Sequence, residues 1–461
     1  MAENSRKPEK IGLTEKLGYG VGDIPSGLYL NFFGAYLLYF FVDLGGVAPA
    51  AMALMLLLSR IVDAITDPIM GAIGDRTRTR WGRYRPYLLF GAVPFGLTGF
   101  AIFAAPDMSP GWLLVWAYVT YGLCMLAFTA ANVPYSGLLG VISPSAAQRA
   151  NVTAYRMFFS GLSGIMVGVL ATTLIRELGG GDEANGIMLT MGVFAVISVA
   201  CYLITFATTK ERIPAAPGNT SLKGDLGTLV RTGAWIAVAI SAVLGVLSIA
   251  SRASSARFYF KYVAGDDGAP VFLFLDRFGL FLTALALGQV TGVILGFLLQ
   301  RKFQKSHLIL FGGTLKVIGI TLFALMPLDA VWPQTAAQYL VGVGFGFLMM
   351  LAFSMFTDIA EFIDWKSGQQ MTGLVVSASI FAVKIGTGLG GALPGLVLDL
   401  TGFVPGDVQS AESLAGINLA FAVIPAVVLL PAGIAMLFYP LNHRLIDRVE
   451  TDLAARRSNP V

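Results

Sequence analysis

The sequence predicts an all-α integral membrane protein, with twelve transmembrane helices in two six-helix bundles and both termini in the cytoplasm. Three observations carry this prediction. Of 461 residues, 56% are hydrophobic and 13% charged, against about 25% charged in ordinary soluble domains. Apolar runs long enough to cross a bilayer, roughly 20 residues each, recur about a dozen times along the chain. Lys and Arg crowd some connections and are absent from others, which the positive-inside rule turns into a topology.

The spans are expected near residues 17–41, 47–74, 86–105, 112–140, 151–175, 187–207, 233–256, 277–300, 307–327, 334–357, 371–398 and 414–439. Each should be a helix, because hydrocarbon offers no partner to an unpaired backbone group. The polar N-terminus has no signal-peptide core, so the first run is expected to be retained. Basic residues mark the N-terminus (Arg6, Lys7, Lys10, Lys16), the second connection (Arg76 to Arg85), the sixth (Lys210, Arg212, Lys223, Arg231), the eighth and the tail. The first, third, ninth and eleventh connections carry none. An even number of spans with cytoplasmic ends follows, and a composition this apolar excludes a soluble globule.

The basic, Pro- and Gly-containing stretch 208–232 reads as a cytoplasmic linker between an N-terminal bundle, 1–207, and a C-terminal bundle with a short tail, 233–461. A repeat supports two halves. Gly71, Arg80 and Leu89-Phe90-Gly91 match Gly292, Arg301 and Leu310-Phe311-Gly312 at one constant offset. Secondary transporters are commonly built from such paired halves, with the cargo held near mid-membrane.

Charge inside a span is costly and is a functional candidate by default. The second span reads RIVDAITDP, and Arg60, Asp63 and Asp67 share one helix face. Measured from Asp75 at the end of the span, Asp67 lies about 12 Å and Asp63 about 18 Å deep at the helical rise per residue. Two carboxylates one turn apart repel unless a cation or proton joins them. One reading makes the pair a site for Na⁺ or H⁺, with Arg60 balancing charge; the other has Arg60 simply pair with an acid to hold helices together.

Further intramembrane polar groups are Asp23, Asn132, Arg156, Arg252, Arg257, Lys316 and Lys384. Lys384 either neutralises an acid or faces a hydroxylated or anionic substrate. Arg252, Arg257, Lys261 and Lys316 are expected to snorkel to the interface. Cys124 and Cys201 read as buried thiols, and the two histidines, His307 and His443, do not suggest a relay. Around the second connection, Asp75, Arg76, Arg83 and Arg85 are expected to form a cytoplasmic gate, with Asp358, Glu361 and Asp364 after the tenth span as the acidic counterpart.

These motifs resemble the glycoside–pentoside–hexuronide:cation symporter family of the major facilitator superfamily. The resemblance covers nearly the whole chain through LGYGVGD, RIVDAITDPIMG, DRTRTRWGRYRP, ANVPYSGL, AYRMFF, RFYFKYVAGD, DIAEFIDWKSGQQMTGLVVS and FAVK. It implies the major facilitator fold and sugar transport coupled to Na⁺, H⁺ or Li⁺ by alternating access. It also implies that Asp63, Asp67 and Thr129 bind the cation, and that Arg156 and Lys384 lie near the cation and sugar sites. At sugar-holding positions where melibiose carriers have two acids and a tryptophan, this chain has Gly27, Asn132 and Ser136. Asp23 is then expected to take over the polar contact with substrate, with Gly27 and Ser136 widening the pocket.

The expected function is import of a glycoside or oligosaccharide with Na⁺ or H⁺ by a monomeric carrier in a cell membrane, a bacterial inner membrane by resemblance. Its partners are the small-molecule substrate, the cation and membrane lipids, with no nucleic acid, and no cofactor beyond the coupling ion. The alternatives are a carrier of an amphipathic, lysolipid-like solute and a membrane sensor that binds without transport. The tail after Pro440, only about twenty residues, is too short for a signalling domain. An enzyme is not expected, because no clustered nucleophile–base pair or metal motif is present.

Overall fold

The computed structural model describes residues 11–213, 229, 231–368 and 372–458. The basic residues Arg6, Lys7, Lys10 and Lys223, most of the linker expected at 208–232, and Gln369 and Gln370 of the tenth–eleventh junction lie outside the described residues. Among the described residues, twelve helices are long and apolar enough to cross a membrane. They are α1 (Leu13–Leu44), α2 (Pro49–Arg76), α3 (Arg85–Phe103), α4 (Pro110–Ile142), α5 (Ala146–Gly179) and α6 (Glu183–Thr208). Then come α7 (Gly233–Val263), α8 (Arg277–Leu299), α9 (Lys305–Leu325), α10 (Val331–Ser367), α11 (Thr372–Leu400) and α12 (Ala411–Leu437). A polar helix, α13 (His443–Ser458), follows.

Local chemistry explains the boundaries. Pro49 and Pro110 open α2 and α4 at the first helical position, where a missing N–H costs nothing and φ is already set. The Ser145 hydroxyl accepts from Gln148 N and starts α5, five residues before the expected span. Helix α10 runs ten residues past its expected end, because no breaker interrupts DIAEFIDWKS before Gly368, which closes it at φ +70°. Large apolar side chains such as Val196, Leu325 and Leu430 stay exposed, as expected for a surface solvated by hydrocarbon.

The chain forms two compact units. The first contains α1–α6 with Asp266–Thr283 and Val404–Val408; the second contains α7, the rest of α8, and α9–α13. In the second unit, Phe347, Leu351, Met355 and Ile359 form one stripe of α10 and join a core with Val238 and Ala242 of α7. There α8 and α10 touch backbone to backbone. A side chain at Gly288 or Gly292 would overlap the carbonyls of Tyr339 or Val343, and one at Gly342 or Gly346 would overlap those of Leu285 or Gln289. Small residues permit this approach, and dispersion then holds the pair.

Two snorkelling expectations are overturned in this unit. Arg252 is 1% exposed. It donates Nε to Gln338 Oε1 at 3.0 Å and Nη1 to Phe421 O at 2.9 Å, with its guanidinium 4.0 Å from the Phe421 ring centre. The reason lies in α12. Pro425 has no N–H for the carbonyl four residues earlier, and α12 passes through a π turn at Leu419–Val423. Carbonyls loosened there also accept from α7, as Ala420 O does from Ser251 Oγ at 2.9 Å. Lys316 is likewise 1% exposed, donating Nζ to Gly245 O at 2.8 Å.

Candidate cation and substrate site

The acids of α2 meet α4 inside the first unit. Arg60 Nη1 lies 3.1 Å from Asp63 Oδ2. Arg60 Nη2 donates to the Tyr121 hydroxyl at 3.2 Å, and Met125 Sδ lies 3.8 Å away. One turn further along the same face of α4, the Thr129 hydroxyl donates to Asp67 Oδ1 at 2.9 Å. Tyr121, Met125 and Thr129 recur every four residues and therefore form a single stripe. Asp63 and Thr129 are each only 3% exposed.

The chemistry is that of a small, hard, oxygen-rich site. Helix α2 brings one cationic and two anionic side chains, a surplus of one negative charge, and Arg60 engages Asp63. The donors on hand are two carboxylates and a hydroxyl, which suit a monovalent cation or a proton. Among the described residues no group of three or more His, Cys, Asp or Glu is placed to hold a metal ion. Tyr121 and Met125 were not anticipated, although their spacing from Thr129 is visible in the sequence.

A second cluster sits where α1 is broken at Gly22-Asp23. Gly22 N and Asp23 N bond three residues back, to Tyr19 O and Gly20 O. A side chain at Gly22 would press on the Tyr135 ring and the Thr205 hydroxyl, which explains the glycine. Asp23 precedes the helix that resumes at Ile24, yet its side chain caps no backbone N–H there. It accepts instead from Arg156 Nε of α5 at 2.8 Å. The Arg156 guanidinium lies 5.0 Å from the Tyr135 ring, and that ring stacks on Tyr19 at 4.8 Å. Asn132 Oδ1 accepts from Ser26 Oγ at 3.0 Å.

The structure thus brings Asp23 and Arg156 together, and adds Tyr19, Tyr135 and Ser26, which sequence reasoning missed. It corrects the reading of Gly27. A side chain there would collide with Ser163 Oγ, so the glycine serves close packing of α1 on α5 and does not widen a pocket. Ser136 is exposed on α4. Lys384 is half-buried on α11 and belongs to the second unit.

Of the expected gate residues, Asp75, Arg83, Arg85 and Asp358 have partners within their own units. Asp75 accepts from the Tyr84 hydroxyl, with Arg83 Nη2 at 3.9 Å. Burial first, and then the Asp75 carboxylate, push the Tyr84 phenol up to about 12. Arg85 donates to Phe206 O from Nε and Nη2, at 3.2 and 2.7 Å, so it is committed to the end of α6. Arg76 is exposed at the end of α2, and Glu361 and Asp364 are half-buried on α10. Asp358 is held by Lys305 Nζ at 2.6 Å, not by those arginines. The unanticipated organiser is Glu211. Its carboxylate accepts the backbone N–H groups of Arg83, Tyr84 and Arg85 at 2.8, 2.8 and 3.0 Å. These donors lie at the start of α3, where no intrahelical acceptor exists. Gly82, at φ +112°, makes room for that carboxylate. Beside it, Arg212 pairs with both Glu15 oxygens at 2.7 and 2.9 Å.

Comparison with known proteins gives the family of the chain. Residues 18–443 match the family described as MFS/sugar transport protein. The chain is 30% identical to the inner membrane symporter YicJ of Escherichia coli (strain K12), over 97% of this chain and 96% of that one. It is 30% identical to the isoprimeverose transporter of Lactiplantibacillus pentosus, over 96% and 90% of the two chains. Among solved structures, a bacterial homologue of the human lysosomal transporter Spinster superposes with a TM-score of 0.63 at 15% identity, covering 95% of this chain and 96% of that one. The last likeness concerns the fold alone. The chain belongs to the MFS/sugar transport proteins, within the glycoside–pentoside–hexuronide:cation symporter family that its motifs resemble.

Proposed function

We propose that this protein is a cation-coupled symporter that imports a glycoside or oligosaccharide by alternating access of its two helical bundles, with Na⁺ or H⁺ as the coupling ion. The observation that carries the proposal is the polar set on α2 and α4, in which Asp63 and Thr129 are buried and Asp67 half-buried. Asp63 is engaged by Arg60 and Asp67 by the Thr129 hydroxyl, and the two acids share one face. A cation that touches both carboxylates relieves their repulsion, so its binding energy is available to shift the population of transport states. Asp23, fixed by Arg156 through Oδ1, and Asn132, fixed by Ser26, are assigned to substrate hydroxyls; Lys384 is assigned to the substrate from the second unit. The assignment also takes the termini as cytoplasmic and the carrier as a monomer in a bacterial inner membrane. The names of the relatives support a sugar cargo: one is an isoprimeverose transporter, another a glucuronide carrier homologue.

The test is uptake into proteoliposomes, screening radiolabelled glycosides with and without an imposed Na⁺ or pH gradient. One gradient should drive accumulation of at least one glycoside. Asp63→Asn and Asp67→Asn should each lower gradient-driven accumulation about 100-fold or more, normalised to the amount of protein reconstituted. If both variants accumulate substrate like the parent, the cation site is wrongly placed.

A further inference from the structure

The second unit contains a charged group that the transport proposal leaves unused. Lys316 on α9 is 1% exposed. Its stem is gripped by α10, where a side chain at Gly344 would overlap Lys316 Cγ and Gly312 O. The ammonium carries three N–H donors, yet among the described residues it has one hydrogen-bond acceptor, Gly245 O at 2.8 Å. The Phe345 ring centre, 5.6 Å from Nζ, adds a weak attraction. Burying an ammonium with so few partners costs several kcal/mol.

A cavity of about 20 Å³ adjoins this group, walled by α7, α9, α10 and α12. Roughly 10–15 Å³ suffices for one water-sized occupant, so the space takes a single small body. Its only titratable lining residue is Lys316, and the rest are glycine or apolar apart from Ser241. Ser241 is 3% exposed, and its hydroxyl makes no hydrogen bond among the described residues. It stands one turn before Gly245 on the same face of α7. The cavity is thus faced by an under-used ammonium and an available hydroxyl donor, with no carboxylate in its wall.

We propose that this cavity binds one small monovalent anion, of chloride size, held by Lys316 Nζ and Ser241 Oγ. The anion supplies the counter-charge that the surrounding helices do not, and it fastens α7, α9, α10 and α12 around one point. The site is separate from the acids of α2 and does not depend on what the protein carries.

The test uses the full-length protein in detergent at fixed pH and fixed Na⁺, with chloride replaced stepwise by gluconate, which is too large for the cavity. The thermal midpoint should rise with chloride along a saturating curve, and bromide should substitute for chloride. Lys316→Met should abolish the chloride dependence. Ser241→Ala, which keeps the ammonium and removes one donor, should weaken chloride affinity about tenfold; it is the decisive variant if Lys316→Met does not fold. In bromide-soaked crystals, anomalous density should lie beside Lys316 Nζ. The proposal is overturned if gluconate and chloride give equal midpoints, if Lys316→Met or Ser241→Ala keeps the full chloride response, or if the density in the cavity is water.

Discussion

Helices α2 and α8 are related by the sequence repeat, and they solve the same packing problem in opposite ways. In α2 the repeat positions hold Asp63 and Asp67, and α4 is reached by polar bonds from Arg60 to the Tyr121 hydroxyl and from the Thr129 hydroxyl to Asp67. In α8 the matching positions are Ala284 and Gly288, and the seam with α10 closes until backbones touch. A polar seam held by a few directed bonds can exchange partners when an ion arrives. A glycine seam has no such alternative and behaves as one rigid piece. On the proposed reading, the ion chemistry belongs to the polar seam, and the glycine seam gives this part of the second unit stiffness.

Breaking the polar seam should have the largest effect on stability. Arg60→Met leaves Asp63 without its guanidinium partner, and removing one member of a buried pair costs about 3–5 kcal/mol. Denaturation in detergent should show it, with recovery when Asp63→Asn is added to the same chain. Gly342→Leu attacks the glycine seam from the α10 side. Overpacking costs typically about 1–3 kcal/mol, and overlap with Leu285 O places this variant at the upper end, measured by loss of monodisperse protein on heating. Thr129→Val keeps the shape of α4 but removes the hydroxyl on Asp67; cation affinity should fall about tenfold in uptake assays across a cation titration. The smallest effect sharpens the comparison most. Gly71→Ala should leave stability unchanged or raise it by up to about 1 kcal/mol, because nothing lies within 4 Å of the added carbon. The same change at its repeat mate Gly292 should destabilise, because that carbon would meet Val343 O.

Much of this molecule is legible in the sequence because depth in a bilayer is a one-dimensional property. Run length and the placement of Arg and Lys give the spans, and helical spacing puts Arg60, Asp63 and Asp67 on one face. Partners are three-dimensional and leave a weaker trace in the sequence. Distance from a helix end suggests snorkelling for Arg252 and Lys316, yet both are retained by backbone carbonyls of other helices, Phe421 O and Gly245 O. One signal was present: Pro425 stands four residues after Phe421, marking an acceptor without its usual donor. Gly27 reads in the sequence as missing bulk facing a substrate, whereas its neighbour is Ser163 on α5. Asp358 was matched by charge to the arginines near α3, while Lys305, 53 residues away in sequence, holds it. Charge complementarity alone does not choose among several cations.

The Glu15–Arg212 pair has a consequence in time. Its two members are 197 residues apart in the chain, one at the start of α1 and the other just beyond α6. At synthesis rates of about 5–20 residues per second, roughly 10–40 s separate their emergence from the ribosome. During that interval the Glu15 carboxylate lacks Arg212, and the backbone donors at the head of α3 lack Glu211. Both deficits end together when residues 211 and 212 arrive. The first bundle therefore carries its own completion signal: it is fastened once its sixth helix has been made, before the seventh has begun to insert.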